Sequence, residues 1–394
     1  MNRRVAIIST GQTKYSGRRK DVSFTEMAHE ATERALNDAN LTLADIDAVV
    51  FGSAPEAFEG VNWPDKWCVD ATGAIGKPFM RVHTGGATGG STAIAAVQHV
   101  ASGMFNTVLA IAIERVSETP DAQSILKVGG PPLFSRDSEG FNIISDVAME
   151  TSRWLKAGNM SEWHMAKISS KNHANAMNNP YAHLRFQVTI EEVLASRAVA
   201  SPLKLLDCCP RSDGACAIVV TSEEKAKRCT KRPAWVKGLG AYTRCFTSGE
   251  GALMTKEELE HNAIFKAYRM AGIDKPRRQI QVVEPYTPFS STELMTYVLM
   301  GLCEHSEVAK LCENGFGEMG GEIPFSPSGG VLCSNPIGAT ALVRIAEIAL
   351  QVMGKADKRQ VPDVKIGVAT GAGGSGGMGL AQFNTAMILG VEPN

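Results

Sequence analysis

The chain has 394 residues, 44% of them hydrophobic and 21% charged, enough for two or three domain-sized units around a large core. Forty basic residues against forty-one acidic ones leave a net charge of -1. No long run of one sign occurs, which excludes nucleic acid and anionic membranes as main partners. No window approaches the roughly 18 consecutive apolar residues of a membrane span. Nine cysteines without a signal-peptide pattern point to a reducing, cytoplasmic setting with free thiols.

A strand pattern begins almost at once, in Val5-Ala6-Ile7-Ile8. Phe24 to Asn40 follows as an amphipathic helix, with Met27, Ala31, Ala35 and Leu36 on its apolar stripe. A short turn from Leu43 leads into a buried strand ending at Phe51. Next come a glycine-rich turn, His83 to Gly90, a helix over Ser91 to Ser102, and an apolar strand from Thr107 to Ile113. Residues 118–245 are less regular, with loop signals in Gly129-Gly130-Pro131-Pro132 and Asn178-Asn179-Pro180-Tyr181. That stretch reads as an insertion covering a site, followed by a return to the first half.

About 230 residues after its first appearance the order repeats. Lys256 to Ala271 is helical, Gly272-Ile273-Asp274 is the break, and Ile280 to Glu284 is the strand. A second glycine-rich turn, Ser326 to Gly330, precedes a helix over Ala339 to Met353 and a strand over Val364 to Ala369. The repeat predicts an α/β fold of two βαβ-type halves with parallel strands. The units are 1–117, a loop region at 118–245, and 246–394. Glycine in the two turns permits close approach to a ligand, and the helix start behind each offers free N–H groups to an oxyanion. Two such turns in equivalent places are expected to frame one site. Cys208 and Cys209 are adjacent, a spacing unsuited to a tetrahedral zinc site, and read as packing residues; no metal site is expected.

Several segments resemble the thiolase family, in particular its sterol-carrier-protein-X branch and the related lipid-transfer-protein retro-aldolases. They are Ser170-Lys171-Asn172-His173-Ala174-Asn175, Asn179-Pro180, Pro202 to Pro210, and Ser212-Asp213-Gly214-Ala215. The resemblance spans the chain and implies the five-layer αβαβα thiolase fold. It also implies a dimer, no permanently bound cofactor, and a loop domain that helps hold coenzyme A as substrate or cosubstrate. Coenzyme A contacts fall on His173, Ser328 and Gly329. Trp63, Trp67, Phe134 and Phe141 are candidates for the acyl pocket. Glu114 matches a structural glutamate.

The catalytic positions depart from the family. The nucleophilic cysteine falls on or beside Gly86, and glycine cannot form an acyl-enzyme. The Asn-Glu-Ala-Phe motif reads Tyr286-Thr287-Pro288-Phe289. Asn335 stands at the histidine of Gly-His-Pro. The last segment, Ala369 to Gly377, has no sulfur; it lacks the Lys-Ser/Thr of a P-loop and is expected to line the thioester end of the pocket.

Three readings follow. As a retro-aldolase, Tyr286 exchanges the hydroxyl proton with a lowered pKa or a relay through His83, and backbone N–H groups of Gly85, Gly86, Gly373 and Gly374 hold the enolate. As an acyltransferase, the chain uses Cys333 as a relocated nucleophile, or coenzyme A attacks directly. As a non-catalytic subunit, it pairs with an active copy or with a small zinc-ribbon/OB-fold protein.

Overall fold

A computed structural model of the chain describes residues 3–54, 56–60, 62–119, 121–122, 125, 143–244, 260–374 and 381–393. The first half contains β1 (Val5–Gln12), α1 (Phe24–Asp38), β2 (Ala48–Ser53), β3 (Phe79–Val82), α2 (Thr88–Ala101) and β4 (Thr107–Arg115). α1 starts in a capping box: the Ser23 hydroxyl accepts from the Glu26 N–H at 3.2 Å, and the Glu26 carboxylate accepts from the Ser23 N–H at 2.7 Å. Then come α3 (Ile143–Ala157), α4 (Glu162–Ala176) and β5 (Asp213–Ser222). The second half has β6 (Ala234–Thr243), α5 (Ala263–Ala271), β7 (Val282–Glu284), α6 (Ser290–Leu299), α7 (Ile337–Met353), β8 (Ile366–Gly373) and β9 (Phe383–Gly390). Part of the helix expected from Lys256 lies outside the described residues.

Nine strands run in the order β3-β2-β4-β5-β1-β6-β9-β8-β7. The halves meet at β1 and β6, which pair only through Ala6 with Trp235 and Ile7 with Ala234. Outward from that seam each half repeats one pattern. β5 is antiparallel to β1 and β4, and β2 is parallel to β4; likewise β9 is antiparallel to β6 and β8, and β7 is parallel to β8. A single parallel bridge between Val283 and Phe325 stands where the first half has β3. The parallel expectation therefore holds for the crossover strands and fails for the return strands β5 and β9. β6 pairs with β9 from Trp235 with Gly390 to Thr243 with Phe383.

Alternation along the strands builds the layers. Val5, Ile7, Val108, Ala110, Ile218 and Val220 share one core with α2 and α7, and so do Val282, Ala369 and Met387 from the second half. Their neighbours Ala6, Ile8, Leu109, Ile111 and Val219 pack under α1. Val283, Val368, Ala386 and Ile388 pack under α5 and α6. The two central helices thus lie between the half-sheets, giving α-β-α-β-α. α7 is buried from Gly338 to Met353. The turn expected to reach Gly90 ends earlier, because Gly89 and Gly90 belong to α2. A Cβ at Gly89 would lie 2.3 Å from the Leu342 nitrogen, so glycine here serves close packing of α2 on α7. Among the described residues no helix is long and apolar enough to cross a membrane.

Candidate active site

The turn into α2 is held by its own side chains: the Thr84 N–H donates to the Thr88 hydroxyl at 2.9 Å, and the Thr84 and Ser91 hydroxyls lie 2.8 Å apart. Gly85 takes φ +59°, a left-handed conformation that suits glycine. The end of β8 presses on this turn. A Cβ on Gly373 would stand 2.4 Å from both the Ala87 nitrogen and the Thr84 oxygen, and one on Gly85 would stand 3.2 Å from the Gly374 nitrogen. Only bare backbone fits at Gly373.

Tyr286 follows β7, and its backbone N–H donates to the Thr370 hydroxyl at 2.9 Å. Its own hydroxyl lies 2.5 Å from where a Cβ on Gly86 would be. The space into which a side chain at position 86 would project is therefore filled by a phenol. Asn335 sits just before α7. Its Nδ2 donates to Cys209 Sγ at 3.1 Å, its Oδ1 accepts from the Thr340 hydroxyl at 2.8 Å, and its backbone N–H donates to Ser212 Oγ at 3.1 Å. These bonds fix the amide's orientation. An amide NH2 has two donors, and Cys209 takes one.

Gly86, Tyr286, Asn335, Cys209, Gly373 and Gly374 line one cavity of about 320 Å³. Segments from both halves thus converge. Burial pushes the Tyr286 phenol above its ordinary range; Cys209 and Glu114 add to the effect and Arg344 opposes it. This is the reverse of the lowering expected for a phenolic base, and at neutral pH the group is a proton-bearing hydroxyl. Burial raises the Cys209 thiol to about 11, against the hydrogen bond from Asn335. Glu114 is also buried and is pushed up to about 8, while its Oε2 accepts backbone N–H groups from Ala54 at 2.9 Å and Gly338 at 3.2 Å.

Other expected residues lie elsewhere. Cys333 is buried outside the cavity lining; its thiol, pushed up to about 12 by burial, donates to the Asn172 carbonyl at 3.6 Å. Cys333 thus stands apart from this cavity. His83 does not line the cavity, and burial together with Arg81 lowers its pKa against the pull of Glu56. His173 is buried against Phe186, ring centroids 4.7 Å apart.

Ser328 and Gly329 are engaged in packing. The Ser328 N–H and hydroxyl donate to Glu284 at 2.9 and 3.0 Å, and Arg344 donates to the same hydroxyl at 2.7 Å. Asn175 and Asn179 clamp the carbonyls of Ser326 and Ser328 at 3.0 and 2.9 Å. A Cβ on Gly329 would meet that of Ala176 at 2.6 Å. The second glycine turn braces α4 and does not frame the cavity; Gly371 to Gly374 take that place. Trp63 and Trp67 are 69% and 58% exposed and do not line the cavity. Phe134, Phe141 and Ser375 to Gly377 lie outside the described residues.

Sequence reasoning missed Cys209, which it assigned to packing. The Cys-Cys-Pro run carried no hint that the second thiol would face Asn335, 126 residues away. It also missed Asp146, Glu150 and Arg244, which line the same cavity.

A phenol, an oriented amide, a thiol and two glycine segments at the meeting of duplicated α/β halves define a thiolase-like enzyme site. Comparison with known proteins agrees: residues 5–224 match the family described as thiolase, N-terminal domain, and 251–390 match thiolase C-terminal domain-like. The chain belongs to the thiolase family. It is 32% identical to an acetyl-CoA acetyltransferase of Methanothermobacter thermautotrophicus, covering 95% of this chain and 97% of that protein. It is 29% identical to human sterol carrier protein 2, covering 92% of this chain and 69% of that one. A solved structure named Ltp2-ChsH2(DUF35) aldolase superposes with a TM-score of 0.80 at 25% identity, covering 98% of each chain.

Proposed function

We propose that this protein makes or breaks a C–C bond in a β-hydroxyacyl-CoA thioester by aldol chemistry, without an acyl-enzyme. The observation that carries the reading is the Tyr286 hydroxyl standing where a nucleophile at position 86 would project. In cleavage, the substrate hydroxyl gives up its proton as the Cα–Cβ bond breaks. The bonding pair moves to the thioester as an enolate, a carbonyl product leaves, and protonation of the enolate gives the shortened acyl-CoA. A phenol that keeps its proton suits the condensation direction, in which it donates to the forming alkoxide and becomes phenolate; in cleavage it is the deprotonated Tyr286 oxygen that accepts the substrate proton. The second N–H of Asn335 and the backbone N–H groups of the glycine segments stabilise the enolate oxygen. Coenzyme A is needed only as part of the substrate.

Acyl transfer is the second reading. It is favoured by relatives named acetyl-CoA acetyltransferase and by the Cys209 thiol in the cavity, which replaces Cys333 as the candidate nucleophile. β3 stands at one edge of the sheet with Met80 46% exposed and Trp63 and Trp67 nearby in sequence, which supports pairing with a second copy. The aldolase neighbour's name includes a DUF35 component, which supports a partner of that kind.

The test offers β-hydroxyacyl- and β-ketoacyl-CoA thioesters and follows products together with intact protein mass. Product from the β-hydroxy series without an adduct is expected. An acyl adduct on Cys209 overturns the aldol reading in favour of acyl transfer.

A further inference from the structure

We infer that the cavity wall formed by α3, α6 and the end of β6 is a polar subsite centred on Glu150, for a neutral oxygen function carried on the acyl group. A hydroxyl or a ketone meets that description. The inference rests on the acyl-CoA reading and extends it to the class of substrate.

α3 turns Ile143, Asp146, Val147 and Glu150 to the cavity, the spacing of one helix face. α6 does the same with Thr292, Met295, Thr296 and Leu299. Most polar groups on this wall are committed to the fold. The Thr292 hydroxyl donates to the Phe289 carbonyl at 2.6 Å, and that of Thr296 donates to the Thr292 carbonyl at 2.7 Å. Asn262 Nδ2 donates to the Leu299 carbonyl at 3.1 Å, while its Oδ1 accepts the Phe265 N–H at 2.9 Å.

Glu150 differs. It is 6% exposed, and its Oε1 has no hydrogen-bond partner among the described residues. A buried carboxyl oxygen left without a hydrogen bond weakens the fold, so its presence on a cavity wall points to a ligand group. Burial pushes its carboxyl up to about 7, Asp146 adding to the effect and Arg244 opposing it. Near neutral pH both forms are present. The acid donates to a ketone or hydroxyl oxygen, and the carboxylate accepts from a hydroxyl. A carboxylate on the substrate fits less well, because Asp146 and ionised Glu150 repel it and Arg244 already has contacts of its own. Ile143, Ile144, Val147, Met295 and Leu299 are apolar, so the body of the acyl group is hydrocarbon.

The test uses pairs of acyl-CoA thioesters identical except for one hydroxyl or ketone on the acyl body. Calorimetry measures their binding to wild type, Glu150→Leu and Glu150→Gln. Wild type should bind the oxygenated member about tenfold more tightly or better, the effect of one well-made hydrogen bond. Glu150→Leu should erase or reverse that preference while holding the plain member as well as wild type does. Glu150→Gln, which keeps a donor, should retain part of it and serves if the leucine variant does not fold. Melting temperatures should not fall, because a buried carboxyl with an oxygen lacking a hydrogen bond is removed. Equal binding of both members by wild type, or an unchanged preference in Glu150→Leu, overturns the subsite and leaves the acyl-CoA reading standing. Failure of every thioester to bind overturns both.

Discussion

The turn ahead of α2 and the turn at Ser326 to Gly330 are both glycine-rich and both hold left-handed backbone, at Gly85 (φ +59°) and at Gly329 and Gly330 (φ +90° and +64°). One lines the cavity; the other is clamped by Asn175, Asn179 and Glu284 and does not line it. Glycine marks a close approach of backbone to something, and only the surrounding segments decide what that something is. At Gly86 it is a phenol and a cavity. At Gly329 it is Ala176 of α4.

The largest effect expected at the cavity is that of Tyr286→Phe. Removing the hydroxyl should lower kcat for a β-hydroxyacyl-CoA by roughly 10²- to 10⁴-fold, the range for a positioned proton-transfer group. The melting temperature should hold. Retention of more than a tenth of wild-type kcat would remove Tyr286 from the chemistry.

Gly373→Ala and Gly329→Ala put the contrast directly. The first drives a methyl against the Ala87 and Gly86 nitrogens, and shifting the turn by about 1 Å should cost about 10²-fold in kcat/KM. The second meets both a left-handed φ and Ala176, and should destabilise by about 2–4 kcal/mol. Its activity per folded molecule should stay within twofold. Denaturant melts and active-site-normalised kinetics separate the two, and a Gly329→Ala enzyme that is stable but inactive would erase the distinction between the turns.

Glu114 sits beside the Gly338 N–H at the start of α7, and its carboxyl is held at about 8 against an ordinary 4.5. The folded state therefore holds this proton more tightly than the unfolded chain does. The resulting stability is full below about pH 4.5 and is lost as pH rises towards 8. Glu114→Gln, which mimics the protonated acid, should flatten that decline and gain on the order of 2 kcal/mol over wild type at pH 9. Parallel pH profiles of melting temperature for the two proteins would contradict the raised carboxyl.

Much of the fold was legible because its signals are local and repeated. The amphipathic stripe of α1, the alanine-rich central helices and the crossover strands all carry their period in the sequence. The antiparallel sense of β5 and β9 carries no such mark, because a return strand and a crossover strand are equally apolar when both faces are covered. At the cavity, Gly86, Tyr286, Asn335, Gly373 and Gly374 were legible through a shared motif order, and all five line it. His83, Gly85, His173, Ser328, Gly329 and Cys333 shared that order without lining it. Whether a residue beside a motif points inward depends on contacts between segments far apart in sequence, such as Ser328 with Glu284 or Cys333 with Asn172.

The smallest expected effect is that of Cys209→Ser, and it separates the two chemistries. The thiol accepts a hydrogen bond from Asn335 and is held at about 11, so at pH 7 thiolate is scarce. If it only orients the amide, serine preserves an oxygen acceptor in the same place, and kcat should stay within about threefold of wild type. If it is the acyl carrier, the far less nucleophilic serine hydroxyl should abolish turnover of β-ketoacyl-CoA and leave no adduct. Asn335→Ala sharpens the reading: loss of the amide should lower aldol turnover whether or not Cys209 is present. Two variants whose effects add would assign separate roles to thiol and amide, whereas a double variant no worse than Asn335→Ala would place Cys209 behind Asn335 as a positioning residue.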